Sequence, residues 1–250
     1  MKIQSFFAPV REFFFPRGCA LCGGTLTGRE ETLYGLCDPC RARLSFPAGD
    51  AGTAYCDRCG RPLISEMGRC LPCRGEGERL YERTAVVYPY SGKYRKLLGE
   101  YKFGRNTALG FFLAERLKEA CAQLLAADSD AAAIGQGAQN SPLLVPIPPR
   151  PGKLRKTGWD QVEYLARLLK REGLPVYRCL RRLPSLSQKK LNREERLRNL
   201  RDRFVLTRPA PGAAVLFDDV ITTGATLEAC AGALKNGGTE KVYAACLFYD

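Results

Sequence analysis

Apolar residues follow two patterns along the chain, short continuous runs and one longer helical repeat. The runs are TAVVYPY at 84–90, LLVPI at 143–147, AVLF at 214–217 and VYAACLFY at 242–249, and they predict buried strands. From Arg105 to about Ala126, leucine and phenylalanine recur at helical spacing, which predicts an amphipathic helix with Cys121 in its core face. Strands and helices in this order predict an α/β fold with an open, mostly parallel sheet and flanking helices.

The opening segment, MKIQSFFAPVREFFFPRGC, is aromatic but not typical of a signal peptide. Arg11 and Glu12 interrupt its apolar run, and no small-residue cleavage site follows. We expect a helix that packs on the rest of the protein, with attachment to a membrane surface as the alternative. Its apolar side would carry Phe6, Phe7, Val10, Phe13 and Phe14. No apolar run is long enough to span a bilayer, so we expect a soluble protein.

Eight of the twelve cysteines lie near the N-terminus in four Cys-x2-Cys pairs. Two such turns supply the four thiolates of a structural zinc site, so the four pairs predict two Zn²⁺ ions. The chain contains no histidine, which excludes mixed Cys/His coordination. CALCGGTL resembles CDRCGRPL, and CDPC resembles CLPC, which favours two successive ribbons; a cross-braced grouping of the first pair with the third stays open. The expected ligands are Cys19, Cys22, Cys37 and Cys40 for one ion, and Cys56, Cys59, Cys70 and Cys73 for the other.

Disulfide bonds are the competing interpretation of these cysteine pairs. The chain shows no secretory signal, and its other four cysteines are scattered through the remaining sequence. Both features indicate a reducing cytoplasm, where thiolates bind metal rather than each other.

Positive charge is concentrated in one segment. The formal net charge is +13, and residues 150–208 alone contain 18 Lys or Arg against 6 Asp or Glu. Such a surface attracts nucleic acid or a polyphosphate ligand, and charge alone does not distinguish these from a solvated basic face.

Two adjacent acids, Asp218 and Asp219, follow the third apolar run. A short loop and a predicted helix come next, so the acids stand where open α/β sheets bind ligands. The loop suits a phosphate, because its glycine turns backbone N–H groups inward, threonine hydroxyls add donors, and the helix N-terminus is partly positive. It contains Thr222, Thr223, Gly224, Ala225 and Thr226. A carboxylate pair beside a phosphate pocket suits a ribose 5-phosphate unit, whereas a structural pair or a receiver-type acidic cluster is the alternative.

This stretch resembles the thirteen-residue signature of type I phosphoribosyltransferases, which has an apolar strand, two acids and then Thr-Thr-Gly-x-Thr. The resemblance implies that Asp218 and Asp219 contact the ribose hydroxyls. It also implies that the loop binds the 5-phosphate, with Mg²⁺ bridging hydroxyls and pyrophosphate. We expect Asp219→Asn to weaken binding of phosphoribosyl pyrophosphate without unfolding the domain.

Further elements resemble the ComF family across essentially the whole chain: the four cysteine pairs, YSGKYRKLLGEYKFG, LLVPIPPRPGKLRKTGWDQ and SLSQKKLNREERLRNLRDRF. The resemblance implies a zinc ribbon module with its preceding helix at 1–80 and a phosphoribosyltransferase-like domain at 81–250. It implies a pyrophosphate loop with Pro148, Pro149, Arg150, Lys156 and Gly158. It also implies a mobile basic lid with Gln188, Lys189, Lys190, Arg193, Arg196 and Asn199, for which an exposed Arg-rich helix is the alternative.

The function expected from this resemblance is Mg²⁺-dependent phosphoribosyl transfer from phosphoribosyl pyrophosphate to an unidentified acceptor, linked to DNA uptake. No base-recognition hood is apparent after the last strand, and no histidine is present as a general base. These features support the alternative of a non-catalytic adaptor of the competence machinery. Such an adaptor would bind single-stranded DNA and competence proteins, and would keep the phosphoribosyl pocket as a sensor.

Overall fold

The computed structural model describes residues 18–44, 55–56, 58–60, 62–63, 65–75, 79–126, 142–184 and 203–250. The helix predicted near the N-terminus and the six residues of the predicted basic lid lie outside the described residues. The predictions made for those segments therefore stay predictions.

The described residues contain eight helices and six strands. The helices are α1 (Arg29–Tyr34), α2 (Asp38–Ala42), α3 (Leu71–Gly75), α4 (Gly92–Lys102), α5 (Thr107–Ala126), α6 (Lys153–Thr157), α7 (Gln161–Arg171) and α8 (Ala225–Asn236). The strands are β1 (Thr84–Pro89), β2 (Leu143–Pro146), β3 (Leu180–Arg182), β4 (Phe204–Leu206), β5 (Ala213–Ile221) and β6 (Lys241–Tyr249). No helix in these ranges combines the length and the apolar character that crossing a membrane requires.

The main sheet has four parallel strands in the order β1-β6-β5-β2, as the buried apolar runs predict. β5 continues four residues beyond the run that ends at Phe217, because β6 is long enough to pair with it as far as Ile221. The two aspartates therefore lie inside the last part of β5, with Asp218 opposite Cys246. They lie near the carboxyl ends of the parallel strands, which form the edge of the sheet where open α/β folds bind ligands.

Helices cover both faces of the sheet. Val215 and Phe217 of β5 pack into the core that contains α5 and α7, whereas Ala214 and Leu216 pack toward α8. This alternation follows from the two-residue repeat of a strand and explains why all four residues are apolar. β3 and β4 form a separate antiparallel pair, whose Phe204 joins the core on the α8 side.

Both cysteine-rich ribbons pack against the α/β body. Leu36 and Tyr34 of the first ribbon belong to the same hydrophobic core as α5. In the second ribbon, Gly60 lies so close to Val86 of β1 that a side chain at position 60 would collide with it. The hydroxyl of Thr84 also donates to the carbonyl of Arg58 over 2.8 Å, so the second ribbon is attached to the edge strand of the sheet.

Candidate zinc centres and ligand-binding site

The eight N-terminal cysteines form two clusters with the predicted grouping. Within each cluster, the four sulfur atoms all lie within 4.8 Å of one another. The first cluster contains Cys19, Cys22, Cys37 and Cys40, and the second contains Cys56, Cys59, Cys70 and Cys73. Successive pairs therefore share a site, and the cross-braced alternative is wrong.

The spacing of the sulfur atoms fits zinc and not a disulfide. The Sγ atoms of Cys22 and Cys37 are 3.6 Å apart, and those of Cys59 and Cys70 are 3.7 Å apart. Four ligands about 2.3 Å from a tetrahedral zinc ion stand about 3.8 Å from one another, whereas disulfide sulfurs are about 2.05 Å apart. All eight cysteines are free thiols. The two clusters are structural Zn²⁺ sites, because four protein ligands leave no open position for a substrate.

Each site is built from the same two pieces, a tight turn followed by the start of a helix. In the turns, the N–H groups of Gly23 and Gly60 donate to the carbonyls of Cys19 and Cys56 over 2.8 and 2.9 Å. Both glycines adopt positive φ angles, of 77° and 71°, which side-chain-bearing residues rarely adopt. The second pair of each site begins a helix, α2 or α3. The structure therefore contains the internal repeat that is visible in the sequence.

Glu31 joins the two halves of the first ribbon. Its carboxylate accepts hydrogen bonds from the N–H groups of Thr27 and Gly28 over 2.7 and 2.9 Å, and from the N–H group of Asp38 over 2.9 Å. These backbone donors lower the pKa of Glu31 to about 2. Because Asp38 directly follows the zinc ligand Cys37, the ionised carboxylate of Glu31 holds the Cys37/Cys40 pair in place relative to the first ligand pair.

Backbone donors also favour the thiolate form at each site. Burial opposes ionisation of Cys19, but N–H groups including that of Cys22 lower its pKa to about 6. Burial likewise opposes ionisation of Cys56, and N–H groups including that of Cys70 lower its pKa to about 7. Thiolates are the species that bind Zn²⁺, so one cysteine of each site is favoured in its metal-binding form, whereas burial raises the pKa of Cys40 to about 12 and that of Cys73 to about 11.

A cavity of about 430 Å³ opens at the carboxyl edge of the sheet. Its walls come from the end of β5, the loop after β2, the ends of α4 and β3, and the start of α7. A smaller cavity of about 40 Å³ lies beside it over the loop before α8, and Asp218 and Thr226 line both. The larger one is lined by Lys102, Ile147, Pro148, Pro149, Arg150, Lys153, Asp160, Gln161, Val162, Arg182, Asp218, Asp219 and Thr226.

The two aspartates have different surroundings. The Asp219 side chain is 7% exposed, and its Oδ2 accepts from Lys102 Nζ over 2.7 Å and from Gln161 Nε2 over 2.9 Å. Burial opposes ionisation, but the charge of Lys102 and these hydrogen bonds lower the pKa of Asp219 below its usual value. Burial and the negative charge of Asp219 raise the pKa of Asp218 well above its usual range. One carboxylate is therefore anchored, whereas the other has no basic side chain within ion-pair distance in the described part of the chain.

A polar network connects this pair to the loop after β2. Lys153 Nζ donates to Asp160 Oδ2 and to Gln161 Oε1, each over 2.6 Å. Asp160 also begins α7, since its Oδ1 accepts from the N–H groups of Val162 and Glu163. The amide of Gln161 thus joins Lys153 on one side to Asp219 on the other, and it can do so because the cap fixes the start of α7.

Lys102 is positioned by the aromatic residues around it. Trp159 Nε1 donates to the carbonyl of Lys102 over 3.2 Å, and the buried hydroxyl of Tyr101 donates to the carbonyl of Gln161 over 2.6 Å. The rings of Tyr101 and Trp159 meet edge to face, with 5.7 Å between their centroids. These contacts hold the end of α4 against the start of α7, so Lys102 and Gln161 reach Asp219 together.

Residues 222–226, which form the loop after β5 and the first two residues of α8, have the geometry of an anion cradle. Gly224 has φ of 75° and is the N-cap of α8, a helix of 12 residues. Thr223 Oγ1 lies 3.3 Å from the N–H group of Ala225, while Thr222 and Thr223 are exposed to solvent. The first N–H groups of a helix have no acceptor within the helix, so this loop presents donors and partial positive charge to the smaller cavity.

Arg150 and Arg182 supply the positive charge that the cavity acids do not neutralise. Of the four cationic side chains in the lining, Lys102 and Lys153 are paired with Asp219 and Asp160. Burial, followed by the charge of Arg150, lowers the pKa of Arg182. Two guanidinium groups on the wall of one cavity suit a ligand with two phosphate charges, because each can bind phosphate oxygens in a bidentate manner.

Comparison with known proteins covers both halves of the chain. The model of the double zinc ribbon domain matches residues 10–74. Competence protein F of Haemophilus influenzae is 26% identical over 243 residues, which span 92% of this chain and 95% of that protein. The DNA utilization protein YhgH of Escherichia coli is 26% identical over 238 residues, and that of Salmonella typhimurium is 27% identical over 233. Each YhgH match spans 86% of this chain and 97% of the relative.

These comparisons support the resemblance of the chain to the ComF family. The zinc ribbon and the α/β half are both present in the order that the family resemblance implies, and the matches cover almost the full length of the relatives.

Most of the predicted ligand-binding residues lie around the two cavities. The loop residues 222–226 line the smaller cavity. Pro148, Pro149 and Arg150 of the predicted pyrophosphate loop line the larger one, whereas Lys156 and Gly158 are exposed and lie outside its lining. The site predicted from the sequence did not include five polar residues of this lining. These are Lys102, Lys153, Asp160, Gln161 and Arg182.

Sequence signals existed for some of the omitted residues. Lys102, Asp160 and Gln161 fall in segments that resemble the family, so their position in those segments could have marked them. Lys153 and Arg182 carried no comparable signal, since each is one of many basic residues between 150 and 208.

Proposed function

We propose that this chain binds phosphoribosyl pyrophosphate with Mg²⁺ and transfers the phosphoribosyl group to a nucleophile. The observation that carries the proposal is the juxtaposition, at one sheet edge, of a carboxylate pair, an anion cradle and a cationic wall. The ribose would contact Asp218 and Asp219, its 5-phosphate would bind the loop 222–226, and the pyrophosphate would face Arg150. Mg²⁺ held with the ligand beside Asp218 and Asp219 would supply further positive charge to stabilise the departing pyrophosphate.

The charges that line the larger cavity support a pyrophosphate leaving group there. Lys102 and Lys153 are neutralised by acids of the same cavity, and the raised pKa of Asp218 favours its neutral form before the ligand binds. Among the described residues of the lining, the guanidinium groups of Arg150 and Arg182 form no ion pair and give this wall two further positive charges. A pyrophosphate bound there would replace lost hydration with charge-assisted hydrogen bonds.

In the proposed transfer, the bond between ribose C1 and the pyrophosphate oxygen breaks, and the bond from C1 to the acceptor forms. The bonding electrons leave with pyrophosphate, and the acceptor loses a proton to solvent or to a nearby base. The cationic wall would stabilise the departing charge, while Asp218 and Asp219 would hold the ribose in a fixed orientation. The chain contains no histidine, so any general base would be another side chain or water.

Calorimetric titration tests the binding step. Phosphoribosyl pyrophosphate should bind in the presence of Mg²⁺, and Asp218→Asn should weaken binding at least about tenfold because a ribose or metal contact is lost. Glu240→Gln is the matched control, since Glu240 is exposed and directly precedes β6, at the edge of the sheet opposite to the two aspartates. Equal affinity in all three proteins would refute the assignment of the site.

Turnover distinguishes the enzyme from the adaptor. Release of pyrophosphate that requires an added base, amine or DNA would support transfer. The compound on which the release depends would be the acceptor. The names of the relatives, competence protein and DNA utilization protein, favour the second candidate, a single-stranded-DNA adaptor that keeps the pocket as a sensor. Salt-dependent DNA binding that survives the loss of both Asp218 and Asp219, without turnover, would support that candidate.

The proposal also includes the organisation and location of the protein. We propose that residues 1–80 act as a zinc-stabilised module and residues 81–250 as the ligand-binding domain. We place both in the cytoplasm with the competence machinery as partner, because free thiolates that bind zinc need a reducing compartment. Separation of membrane and soluble fractions of the source cells tests this location.

A further inference from the structure

A short strap, residues 79–81, runs from the second zinc ribbon over the start of α8. Its contacts follow one face of that helix. The Leu80 N–H group points at the carboxylate of Glu228, with distances of 3.2 and 3.3 Å to its two oxygens. The Leu80 side chain packs on Gly232, where an added Cβ would lie 3.3 Å from Leu80 Cδ1. Positions 224, 228 and 232 share a helix face, so the strap lies along two turns.

Arg79 and Tyr81 of the strap contact the loop 222–226 at Gly224. Arg79 hydrogen-bonds to the hydroxyl of Tyr81, and its guanidinium lies 5.4 Å from the centroid of the Tyr81 ring. Any side chain at position 224 would collide with this guanidinium and with the Tyr81 hydroxyl. Tyr81 itself is 2% exposed. Gly224 is therefore enclosed by Arg79 and Tyr81, and its positive φ, which shapes the cradle, is fixed by contacts from outside the loop.

The second zinc ribbon is hydrogen-bonded to the start of β1, which follows the strap by three residues. Arg58 is 6% exposed, and its Nη1 donates to the carbonyl of the zinc ligand Cys73 over 3.0 Å. The carbonyl of Arg58 accepts from Thr84, the first residue of β1. Glu82 lies between the strap and β1, and its N–H group donates to the carbonyl of Val242 in β6 over 2.8 Å. The chain directly after the strap is thus fixed both to the main sheet and, through Arg58, to the carbonyl of a zinc ligand.

We propose that Arg79 and Tyr81 are positioning residues for the phosphate loop, and that zinc in the second site holds them there. This inference rests on the proposed function, because it takes loop 222–226 as the site of a sugar phosphate. Zinc binding at the second site and phosphate binding at the loop are then thermodynamically coupled, and each strengthens the other by the same factor. The guanidinium of Arg79 also adds positive charge near the cradle.

Two ligands separate this role from a general structural one. In the full zinc-loaded chain, Arg79→Ala should weaken ribose 5-phosphate roughly tenfold, within the usual range of coupling between sites. Inorganic pyrophosphate, which would contact the cationic wall instead, should bind with unchanged affinity. Arg79→Lys should recover part of the loss because it keeps the charge. The matched control is Arg167→Ala, an arginine whose side chain is 60% exposed on α7.

The reverse coupling gives a second readout that does not depend on any Arg79 variant. Zinc release to a colorimetric chelator should slow severalfold at the second site when ribose 5-phosphate is saturating. Release at the first site should not change. Alkylation of the released thiols, followed by peptide mass spectrometry, assigns each phase to Cys19–Cys40 or to Cys56–Cys73.

The outcomes distinguish the inference from the function on which it rests. Ribose 5-phosphate that binds the unaltered chain and Arg79→Ala equally, with no effect on zinc release, would overturn the inference and leave the proposed function intact. Failure of the unaltered chain to bind ribose 5-phosphate would overturn both. If Arg79→Ala did not fold, Tyr81→Phe removes only the hydroxyl beside Gly224 and should weaken the same ligand selectively.

Discussion

Lys102→Met tests the claim that Asp219 is an anchored carboxylate. Lys102 Nζ lies 2.7 Å from Asp219 Oδ2, where the side chains are 28% and 7% exposed. At an effective dielectric constant of about 20, this separation gives an attraction of about 6 kcal/mol. Dehydration of the ammonium group offsets part of it, and Gln161 still donates to the carboxylate. We therefore expect a net loss of about 2–3 kcal/mol in the free energy of unfolding at neutral pH.

The loss should depend on pH in a defined direction. In the unaltered chain the pKa of Asp219 lies below its usual value, so the group stays ionised in both folded and unfolded states from pH 5 to 8. Without Lys102, burial is no longer opposed by that charge and should raise the pKa of Asp219. The folded variant then binds a proton that the unfolded variant releases. Its stability, relative to the unaltered chain, should fall as pH rises, by at most about 1.4 kcal/mol per pH unit.

Urea unfolding at pH 5, 6, 7 and 8 measures this difference. Trp159 is the only tryptophan and contacts the Lys102 carbonyl, so its fluorescence reports the site, and circular dichroism provides an independent probe. Lys118→Met is the matched control, because its partner Glu172 lies 3.2 Å away in an exposed pair that should contribute less than about 1 kcal/mol. Equal effects of the two substitutions, or an effect of Lys102→Met that does not change with pH, would refute the reasoning.

Four further predictions concern other parts of the structure. Metal analysis of the purified chain should find two zinc ions per molecule, and a strong chelator should unfold both ribbons. Asp218→Asn should raise the free energy of unfolding once the pH exceeds the ordinary pKa of an aspartate, because ionising a carboxyl whose folded pKa is raised destabilises the fold as pH rises; lower stability in urea would contradict this. Glu31→Gln should release the first zinc at a lower chelator concentration at neutral pH, and the contribution of the native carboxylate should fade only as pH falls from 4.5 toward about 2. Gly110→Ala should cost about 1–3 kcal/mol in thermal or urea unfolding, because its Cβ would collide with the ring of Tyr164, and Tyr164→Leu should relieve that cost.

The elements of the fold could be predicted because each has a strong local signal. Four buried strands and the long helix follow from apolar runs and helical spacing, and the zinc grouping follows from the repeat of CALCGGTL in CDRCGRPL. The length of β5 could not be predicted in the same way. Its last four residues include Asp218 and Asp219, which have low strand propensity, and they are extended because β6 offers a continuous ladder.

The network around the aspartates was beyond sequence reasoning for a different reason. Lys102 and Asp219 are 117 residues apart, and Gln161 and Asp219 are 58 apart. Their contact depends on how α4, α7 and β5 meet, which in turn depends on the packing of Tyr101 against Trp159. A motif identifies which residues can bind a ligand, but it does not show which of them are already paired within the protein.

That pairing changes what each aspartate substitution can reveal. From the signature alone, Asp219→Asn should weaken ligand binding and leave the domain folded. In the structure, however, Asp219 is the acceptor for both Lys102 and Gln161, so an amide there leaves a lysine without its charge partner. Weaker binding by that variant would mix a lost ligand contact with a disturbed cavity wall. Asp218 lines both cavities, and an amide oxygen at position 218 could still accept the hydrogen bond from the Asp219 N–H group, so Asp218→Asn disturbs the cavity wall less and reports the ligand contact more directly.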